Sequence, residues 1–287
     1  MNRRNFIQKS ILTGSFLGLG GIGVSSIFAK NSKTVLFKYA PRIELFKGNP
    51  TTQLKHIAYQ GFTAFEDSEI HNRQVAQQEA IAASIKQYGL TMGTFVGHKI
   101  YWTAPNLTSG KQHYRDEFIA DIKHSITIAQ RMDAKWITVV PGSIDSPLEM
   151  SFQTQNVVEI LKQASALLEP HGITMVLEPF SLSKHSGLFL KTLSQAYEIC
   201  KAVDSPSCKI LFTISSQKTQ EESIISSLDK YWNEIAYFQL ENKHNEPIAN
   251  VIDYKEVLTY IHSRGFKGVL GMNTISKNAT LQETFLS

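Results

Sequence analysis

Cysteine is scarce in this chain of 287 residues, which has only Cys200 and Cys208. Neither lies near the N-terminus, so attachment of a lipid there is not expected. The two thiols could pair in an oxidising compartment or stay apart as buried thiols, and the sequence leaves both open. Charged residues are also few, at 19% against 42% hydrophobic. A chain of this length and composition can bury a full core, which predicts a globular protein.

Acidic residues are absent from the first 43 positions, the first being Glu44. The same region has Arg3 and Arg4 followed by an apolar run, "ILTGSFLGLGGIGVSSIF", that ends near Ala29. Paired arginines before such a run resemble a twin-arginine export signal, so we expect residues 1–30 to be a signal segment and the protein to be periplasmic. A membrane anchor is the alternative, but five glycines in the run make it a poor membrane span.

An excess of either charge is missing from the rest of the chain. There are 29 basic and 25 acidic side chains in all, and four of the basic ones lie in residues 1–30, which leaves 25 of each. A neutral body has no net attraction for a phosphate backbone. We therefore expect no nucleic-acid partner.

After residue 30, short runs rich in β-branched and aromatic residues alternate with longer segments of helical periodicity. Eight such runs occur, "TVLFKYA", "FTAFED", "LTMGTFVG", "KWITVVPG", "ITMVLEP", "KILFTIS", "IAYFQLE" and "FKGVLGM". Between them, segments such as "DEFIADIKHSITIAQRM" repeat apolar residues at spacings of three and four, and several end in glycine before the next run. Eight strands that each precede a helix predict an α/β fold, a single (β/α)8 TIM barrel over residues 31–287 with a short eighth helix.

Polar residues interrupt or end the apolar runs at the expected C-terminal ends of four strands. They are Glu178, Thr213, Gln239 and Asn273. Because functional groups of such barrels lie at the C-terminal ends of the strands, we expect these side chains to point into one mouth. Glu66, which ends the second run, is a further candidate ligand contact, although a structural ion pair would explain it nearly as well.

The chain from about residue 35 to 275 resembles the hydroxypyruvate isomerase branch of the xylose isomerase-like barrels. The resemblance rests on "MVLEP", "AVDSPSCKILF", "EIAYFQ" and "DYKEVLTYIHSRGFKGVLGM", in the family's order. It implies a divalent metal, Mg²⁺ or Mn²⁺, held at the ends of strands five to eight by two glutamates, an aspartate and one further ligand. It also implies that the two glutamates move a proton between adjacent carbons of a keto or aldehyde sugar acid.

Only part of that site is present in this sequence. Glu178 matches the first catalytic glutamate and Gln239 the neutral ligand, whereas Thr213, Ser216 and Asn273 stand where the family has aspartate, histidine and the second glutamate. The four metal positions, Glu178, Gln239, Thr213 and Asn273, thus offer one carboxylate and three neutral groups. A hard cation needs several oxygen ligands with net negative charge, so we expect no tightly bound metal cofactor. Asn273 has no titratable proton and cannot act as the second acid or base.

Basic residues occur as adjacent pairs in three loops expected on the same face. They are His98 with Lys99, Lys184 with His185, and Lys243 with His244. The resemblance places His98 and His185 where the family has loop histidines near the substrate. Tyr101 and Trp102 follow the first pair and suggest an aromatic wall of a sugar site. Solvent-facing loops would explain the pairs equally well.

Two functions follow for this exported protein, and the sequence leaves both open. It is either a sugar isomerase or epimerase acting on a small sugar or hydroxy-keto acid, or a metal-free relative that binds carbohydrate without isomerising it. An endonuclease is disfavoured because a His, Asp and Glu metal cluster and a basic groove are absent from the sequence. The expected partner is a small sugar or sugar acid, with no stable membrane span once the signal is removed. The oligomeric state is not indicated.

Overall fold

Parallel β-strands form the centre of the molecule, which a computed structural model describes at residues 37–180, 187–215, 223–241 and 254–273. The strands are β1 (Lys38–Pro41), β2 (Ala64–Phe65), β3 (Thr91–Met92), β4 (Phe95–Val96), β5 (Trp136–Val139), β6 (Thr174–Leu177), β7 (Cys208–Ser215), β8 (Ile235–Glu241) and β9 (Val269–Met272). Seven of them form one sheet in the order β1-β9-β8-β7-β6-β5-β4, and β2 pairs with β3. Their pairings are parallel.

The sheet curls into a TIM-barrel-like fold because the first and last strands of the chain, β1 and β9, pair with each other. β1 runs beside β9 in the register Lys38↔Val269, and a bridge between Arg42 and Glu66 joins β1 to β2. β3 and β4 are two pieces of one run, separated by Gly93 and Thr94. The expectation of eight strand-forming runs is confirmed, since each run contains a strand.

Helices follow the strands along the chain and pack an apolar face on the sheet. They are α1 (Pro50–Tyr59), α2 (Val75–Tyr88), α3 (Gln112–Met132), α4 (Met150–Leu168), α5 (Leu193–Val203), α6 (Ile224–Tyr231) and α7 (Tyr254–Ser263). Local sequence fixes their ends: the side chain of Asn49 accepts a hydrogen bond of 2.9 Å from the backbone N–H of Thr52 at the start of α1. Gly89 ends α2 in the left-handed conformation, with φ of 63°. The short eighth helix expected after Asn273 lies outside the described residues.

A small apolar cluster fills the inside of the barrel. Its buried members are Ala40, Ala64, Val176, Leu211, Tyr237 and Val269, each from a different strand. Side chains alternate between the two faces of a strand, so residues two positions further along also face the inside. This rule brings Glu66, Glu178, Thr213, Gln239 and Gly271 to the barrel mouth, the end of the barrel at which the strands reach their C-termini.

Both cysteines are buried free thiols, one on α5 and one on β7. A contact with Cys208, together with burial, raises the pKa of the Cys200 thiol far above its ordinary value. The described part of the chain contains no helix long and apolar enough to cross a membrane. The predicted signal segment, residues 1–30, lies outside that part.

Candidate ligand-binding site at the barrel mouth

Glu66 forms the floor of the barrel mouth and is 3% exposed. The Tyr237 hydroxyl donates a hydrogen bond of 2.7 Å to its Oε1, and Nε2 of Gln239 donates one of 3.2 Å to its Oε2. Nε of Arg42 lies 3.7 Å from the same Oε2. We call these four residues the Glu66 cluster. The cluster brings together the ends of β1, β2 and β8 across the inside of the barrel.

Two glycines make room for the Glu66 cluster. A Cβ on Gly271 would lie 2.1 Å from Oε1 of Glu66, and one on Gly93 would lie 2.3 Å from the Tyr237 hydroxyl. Atoms that are not bonded do not approach so closely. The carboxyl group and the phenol are therefore held directly against the backbone of other strands of the barrel.

Burial sets the ionisation of the Glu66 cluster. Desolvation raises the pKa of Glu66 from 4.5 to about 7, although Arg42 and the hydrogen bonds from Tyr237 and Gln239 act in the opposite direction. Burial also raises the pKa of Tyr237 well above its ordinary value, and the Glu66 carboxylate adds to this increase. Tyr237 therefore remains a neutral hydrogen-bond donor at neutral pH.

Two amide oxygens at the mouth are buried without a hydrogen-bond partner in the described structure. They are Oε1 of Gln239 and Oδ1 of Asn273. Gln239 faces Gly271 across β8 and β9, and Asn273 is two residues beyond that glycine. A buried polar atom without a partner costs about 1–3 kcal/mol, and native structures rarely tolerate it. These oxygens can accept hydrogen bonds from a ligand that enters the mouth.

Glu178 and Thr213 occupy the strand ends next to Gln239. Thr213 is in register with Gln239, on β7 and β8. Glu178 follows β6, where its backbone N–H donates to the Val139 carbonyl at 3.4 Å and so extends the β5–β6 pairing by one residue. Both are half-buried. Strand order and alternation thus place the four predicted strand-end residues on the inner side of four consecutive strands.

His98 differs from the expectation of a ligand contact. The backbone N–H of Val140 donates to its Nε2 at 3.1 Å, and its Nδ1 lies 2.9 Å from the carbonyl oxygen of Lys99. Since Nε2 accepts, the ring proton is on Nδ1 and is donated to that carbonyl. Burial lowers the pKa of His98 to about 4. The imidazole is therefore neutral and structural, with no ring nitrogen left for a ligand.

The aromatic pair predicted to form a wall is divided by the structure. Tyr101 turns towards α3, where its hydroxyl donates a hydrogen bond of 2.7 Å to Glu117 and accepts one of 2.8 Å from Lys99. Trp102 remains 41% exposed and meets Phe180 edge to face, with ring centroids 5.5 Å apart. Phe180 is two residues after Glu178, so Trp102 is the member of the pair that borders the mouth.

Several predicted positions lie outside the described residues. They are Ser216, the pair Lys184 and His185, and the pair Lys243 and His244. Of the three basic pairs, only His98 with Lys99 is described, and neither residue faces the mouth. Among the described residues, Arg42 brings a cation to the mouth, and sequence reasoning missed it. Arg42 follows β1 directly and is two positions after Ala40, so its side chain leaves the strand on the same inner face. The expectation that polar residues at strand ends face the mouth would have identified it if it had been applied to β1.

The donors at the mouth do not fit a tightly bound divalent metal. The described residues contain no group of three or more His, Cys, Asp or Glu side chains arranged to hold an ion. At the family's ligand positions the chain supplies the carboxylate of Glu178 with two amides and a hydroxyl. Nε2 of Gln239 is committed to Glu66, and only its neutral oxygen remains for a cation.

Solved structures share this fold at low sequence identity. An AP endonuclease of family 2 from Brucella melitensis matches with a TM-score of 0.71 and 18% identity, covering 86% of this chain and 96% of that chain. A 3-keto-D-glucoside 4-epimerase from E. coli matches with a TM-score of 0.69 and 16% identity, covering 86% and 95%. A D-psicose 3-epimerase with D-tagatose, from Clostridium cellulolyticum H10, matches with a TM-score of 0.67 and 15% identity, covering 86% and 89%. Likenesses at such identities establish the fold and not the activity.

Family membership comes from the sequence itself. No curated protein sequence matches the chain significantly. The profile of a family described as "Xylose isomerase-like TIM barrel" matches residues 54–285, which is most of the chain. The strand order and the barrel closure described above agree with that profile. The chain therefore belongs to the xylose isomerase-like TIM barrel family.

Proposed function

We propose that this protein binds a small sugar or sugar acid at the barrel mouth and does so without a tightly bound metal. The observation that carries the proposal is a pair of buried acceptors, Oε1 of Gln239 and Oδ1 of Asn273, that have no hydrogen-bond partner among the described residues. Hydroxyl groups of a sugar are donors that would satisfy both. The D-psicose 3-epimerase with D-tagatose is a protein of the same fold that takes a ligand of this class.

The rim of the mouth also suits a sugar. Trp102 has an exposed indole that packs edge to face against Phe180. Apolar walls with a few convergent polar groups are typical of small-molecule sites. Arg42 adds a positive charge whose side chain is 38% exposed. This cation would favour a carboxylate on the ligand, which is the reason to include sugar acids and hydroxy-keto acids in the proposal.

Turnover as an isomerase or epimerase is the second function, in keeping with the resemblance to the hydroxypyruvate isomerase branch. One observation favours it: Glu66 gives the mouth another carboxyl group besides Glu178. Proton transfer between adjacent carbons needs one group to remove the proton and one to return it. Asn273 cannot serve as either, so a reaction in this mouth would depend on Glu178 with Glu66.

The proposal includes export. Arg3 and Arg4 before a Gly-rich apolar run support a twin-arginine signal over residues 1–30 and a periplasmic location. The ligand would then be a sugar of the periplasm.

The experiment that tests the proposed function is titration calorimetry of residues 31–287 with D-fructose, D-tagatose, D-allulose, D-gluconate and D-glycerate. We expect at least one to bind with a Kd below about 1 mM, which corresponds to about 4 kcal/mol of binding free energy. Asn273→Leu should weaken that binding about tenfold, whereas Gln87→Leu, which removes an exposed amide on α2, should not. Binding of none of the five would contradict the proposal. Conversion of D-tagatose or hydroxypyruvate by the same protein would favour the isomerase.

A further inference from the structure

The two ends of the Gln239 side-chain amide have opposite surroundings. Its Nε2 donates a hydrogen bond of 3.2 Å to Oε2 of Glu66, within the barrel. Its Oε1 is buried and has no partner among the described residues. The side chain is therefore a donor on the side of Glu66 and an acceptor on the other.

The reverse orientation of this amide is disfavoured by Glu66. Turning the amide by 180° would bring Oε1 of Gln239 to the place now taken by Nε2, about 3.2 Å from a carboxylate oxygen. Above its pKa of about 7, Glu66 is a carboxylate and can only accept hydrogen bonds, so the contact would join two acceptors of like partial charge. Glu66 thus selects one of two orientations that have nearly the same shape.

Glu66 is itself held in place. Its Oε1 accepts from the Tyr237 hydroxyl at 2.7 Å, and Arg42 lies beside Oε2. The backbone of β9 at Gly271 stands so close that a Cβ there would lie 2.1 Å from Oε1. The carboxylate cannot turn away from Gln239 without losing the hydrogen bond from Tyr237.

We infer that Glu66 is a positioning residue that fixes the Gln239 amide, so that a ligand in the mouth meets a carbonyl acceptor and must offer it a hydroxyl or amine hydrogen. The inference deepens the proposed function and rests on it for the identity of the site. It assigns the specificity of this position to Glu66, which sequence reasoning had left open between a ligand contact and a structural ion pair. Asn273, whose buried Oδ1 also has no partner in the described part of the chain, extends the same acceptor surface.

The test reads the amide directly and needs no ligand. In ¹⁵N-labelled protein at pH 8, where Glu66 is ionised, the two Nε2 protons of Gln239, assigned from their loss in Gln239→Met, should be non-equivalent. One should be shifted downfield and should exchange slowly because it is bonded to a buried carboxylate. The exposed amide of Gln87 is the internal reference. Equivalent, fast-exchanging Gln239 protons in the unaltered protein would overturn the inference.

Variants of Glu66 separate positioning from a general effect on folding. Glu66→Ala should abolish the downfield shift, whereas Glu66→Gln, which keeps an acceptor oxygen, should restore part of it. Tyr237→Phe removes the hydrogen bond that holds Oε1 of Glu66 but leaves Gln239 unaltered, and it should give an intermediate shift. An unchanged downfield shift in a folded Glu66→Ala protein would also overturn the inference. If that variant does not fold, the amide signals of the unaltered protein are sufficient for the test.

A binding arm uses D-tagatose as the probe. We expect Glu66→Ala to weaken D-tagatose binding at least tenfold and Glu66→Gln to recover a part of the loss. Equal affinities for D-tagatose in the unaltered protein and Glu66→Ala would contradict the assigned specificity role. Failure of all five sugars to bind the unaltered protein would contradict the proposed function, while the amide signals would still report whether Glu66 orients Gln239.

Discussion

The hydroxyl of Tyr237 donates a hydrogen bond of 2.7 Å to Oε1 of Glu66, a residue 171 positions earlier in the chain. The bond crosses the inside of the barrel from β8 to β2. It fixes a carboxyl group beneath the mouth, and that group in turn orients the amide of Gln239. The polar character of the mouth therefore depends on a contact that exists only once the barrel has closed.

Burial of Glu66 predicts a specific dependence of stability on pH. Its folded-state pKa, about 7, lies above the ordinary value of 4.5, so the folded protein holds this proton more tightly than the unfolded chain does. The contribution is fully present below pH 4.5 and is lost as the pH rises through 7, by up to about 3 kcal/mol. We expect Glu66→Gln, which does not titrate, to lack this loss.

Urea unfolding at pH 5 and pH 8.5 measures the effect. The free energy of unfolding of Glu66→Gln, relative to that of the unaltered protein, should be about 2–3 kcal/mol larger at pH 8.5 than at pH 5. Glu79→Gln, at an exposed position on α2, should run parallel to the unaltered protein. If the free energies of unfolding of Glu66→Gln and the unaltered protein differ by the same amount at both pH values, the raised pKa of Glu66 is contradicted.

His98 should stabilise the fold with the opposite dependence on pH. Its folded-state pKa, about 4, lies below the ordinary value of 6.5, so its contribution is present above pH 6.5 and lost as the pH falls through 4. His98→Leu leaves the Val140 N–H and the Lys99 carbonyl without their partner. We expect a loss of about 2–4 kcal/mol in the free energy of unfolding at pH 7.5, with a smaller loss at pH 5. Denaturant unfolding measures this loss, and His56→Leu, at an exposed position, is the control. A loss of less than about 0.5 kcal/mol for His98→Leu would show that His98 does not make its two contacts with the backbone.

Gly271 should tolerate no side chain while Glu66 is present. A Cβ there would lie 2.1 Å from Oε1 of Glu66, and overpacking of this kind costs about 1–3 kcal/mol. We expect Gly271→Ala to destabilise the protein by this amount, and the cost to fall in the background of Glu66→Ala. A double-mutant cycle by thermal unfolding measures the coupling. Gly187→Ala is the matched control, because among the described residues a Cβ there meets only the Ser143 hydroxyl, at 3.9 Å. Additive effects of the Gly271 and Glu66 changes would contradict the close contact between Gly271 and Glu66.

Export gives a prediction that does not depend on the barrel. Replacing Arg3 and Arg4 together with lysine should leave the protein in the cytoplasm, because the paired arginines are the element that the twin-arginine pathway recognises. Immunoblots of periplasmic and cytoplasmic fractions measure it, with Lys9→Arg as the control. Unchanged periplasmic levels of the double variant would remove the proposed signal.

Local patterns were sufficient to predict the barrel. Each strand run carries its own β-branched and aromatic residues, and glycines such as Gly89 mark the ends of helices within a few residues of the pattern that they close. The position of Gln239 at a strand end could be predicted for the same reason. It needs only the direction of the chain and the alternation of side chains.

The partners within the mouth could not be predicted from these patterns. Tyr237 sits in "IAYFQLE" among apolar neighbours and looks like an ordinary core residue, and its hydroxyl finds Glu66 only because β8 and β2 lie across the same barrel. His98 was predicted to contact a ligand because the resemblance places it where the family has a loop histidine near the substrate. Its Nε2 accepts a hydrogen bond from the backbone N–H of Val140, which directly follows β5, and no local sequence pattern predicts that contact.

The central claim, a mouth that binds a sugar without a tightly held metal, is tested most directly by calorimetry with Mn²⁺. The unaltered protein is compared with a triple variant, Thr213→Asp, Ser216→His and Asn273→Glu, that restores the residue types implied by the family resemblance. Two added carboxylates, each worth about 4 kcal/mol near a cation at an effective dielectric of about 20, should raise the affinity by orders of magnitude. We expect no binding tighter than about 1 mM in the unaltered protein and clear binding in the variant. Micromolar Mn²⁺ binding by the unaltered protein, together with measurable isomerase turnover, would contradict the account.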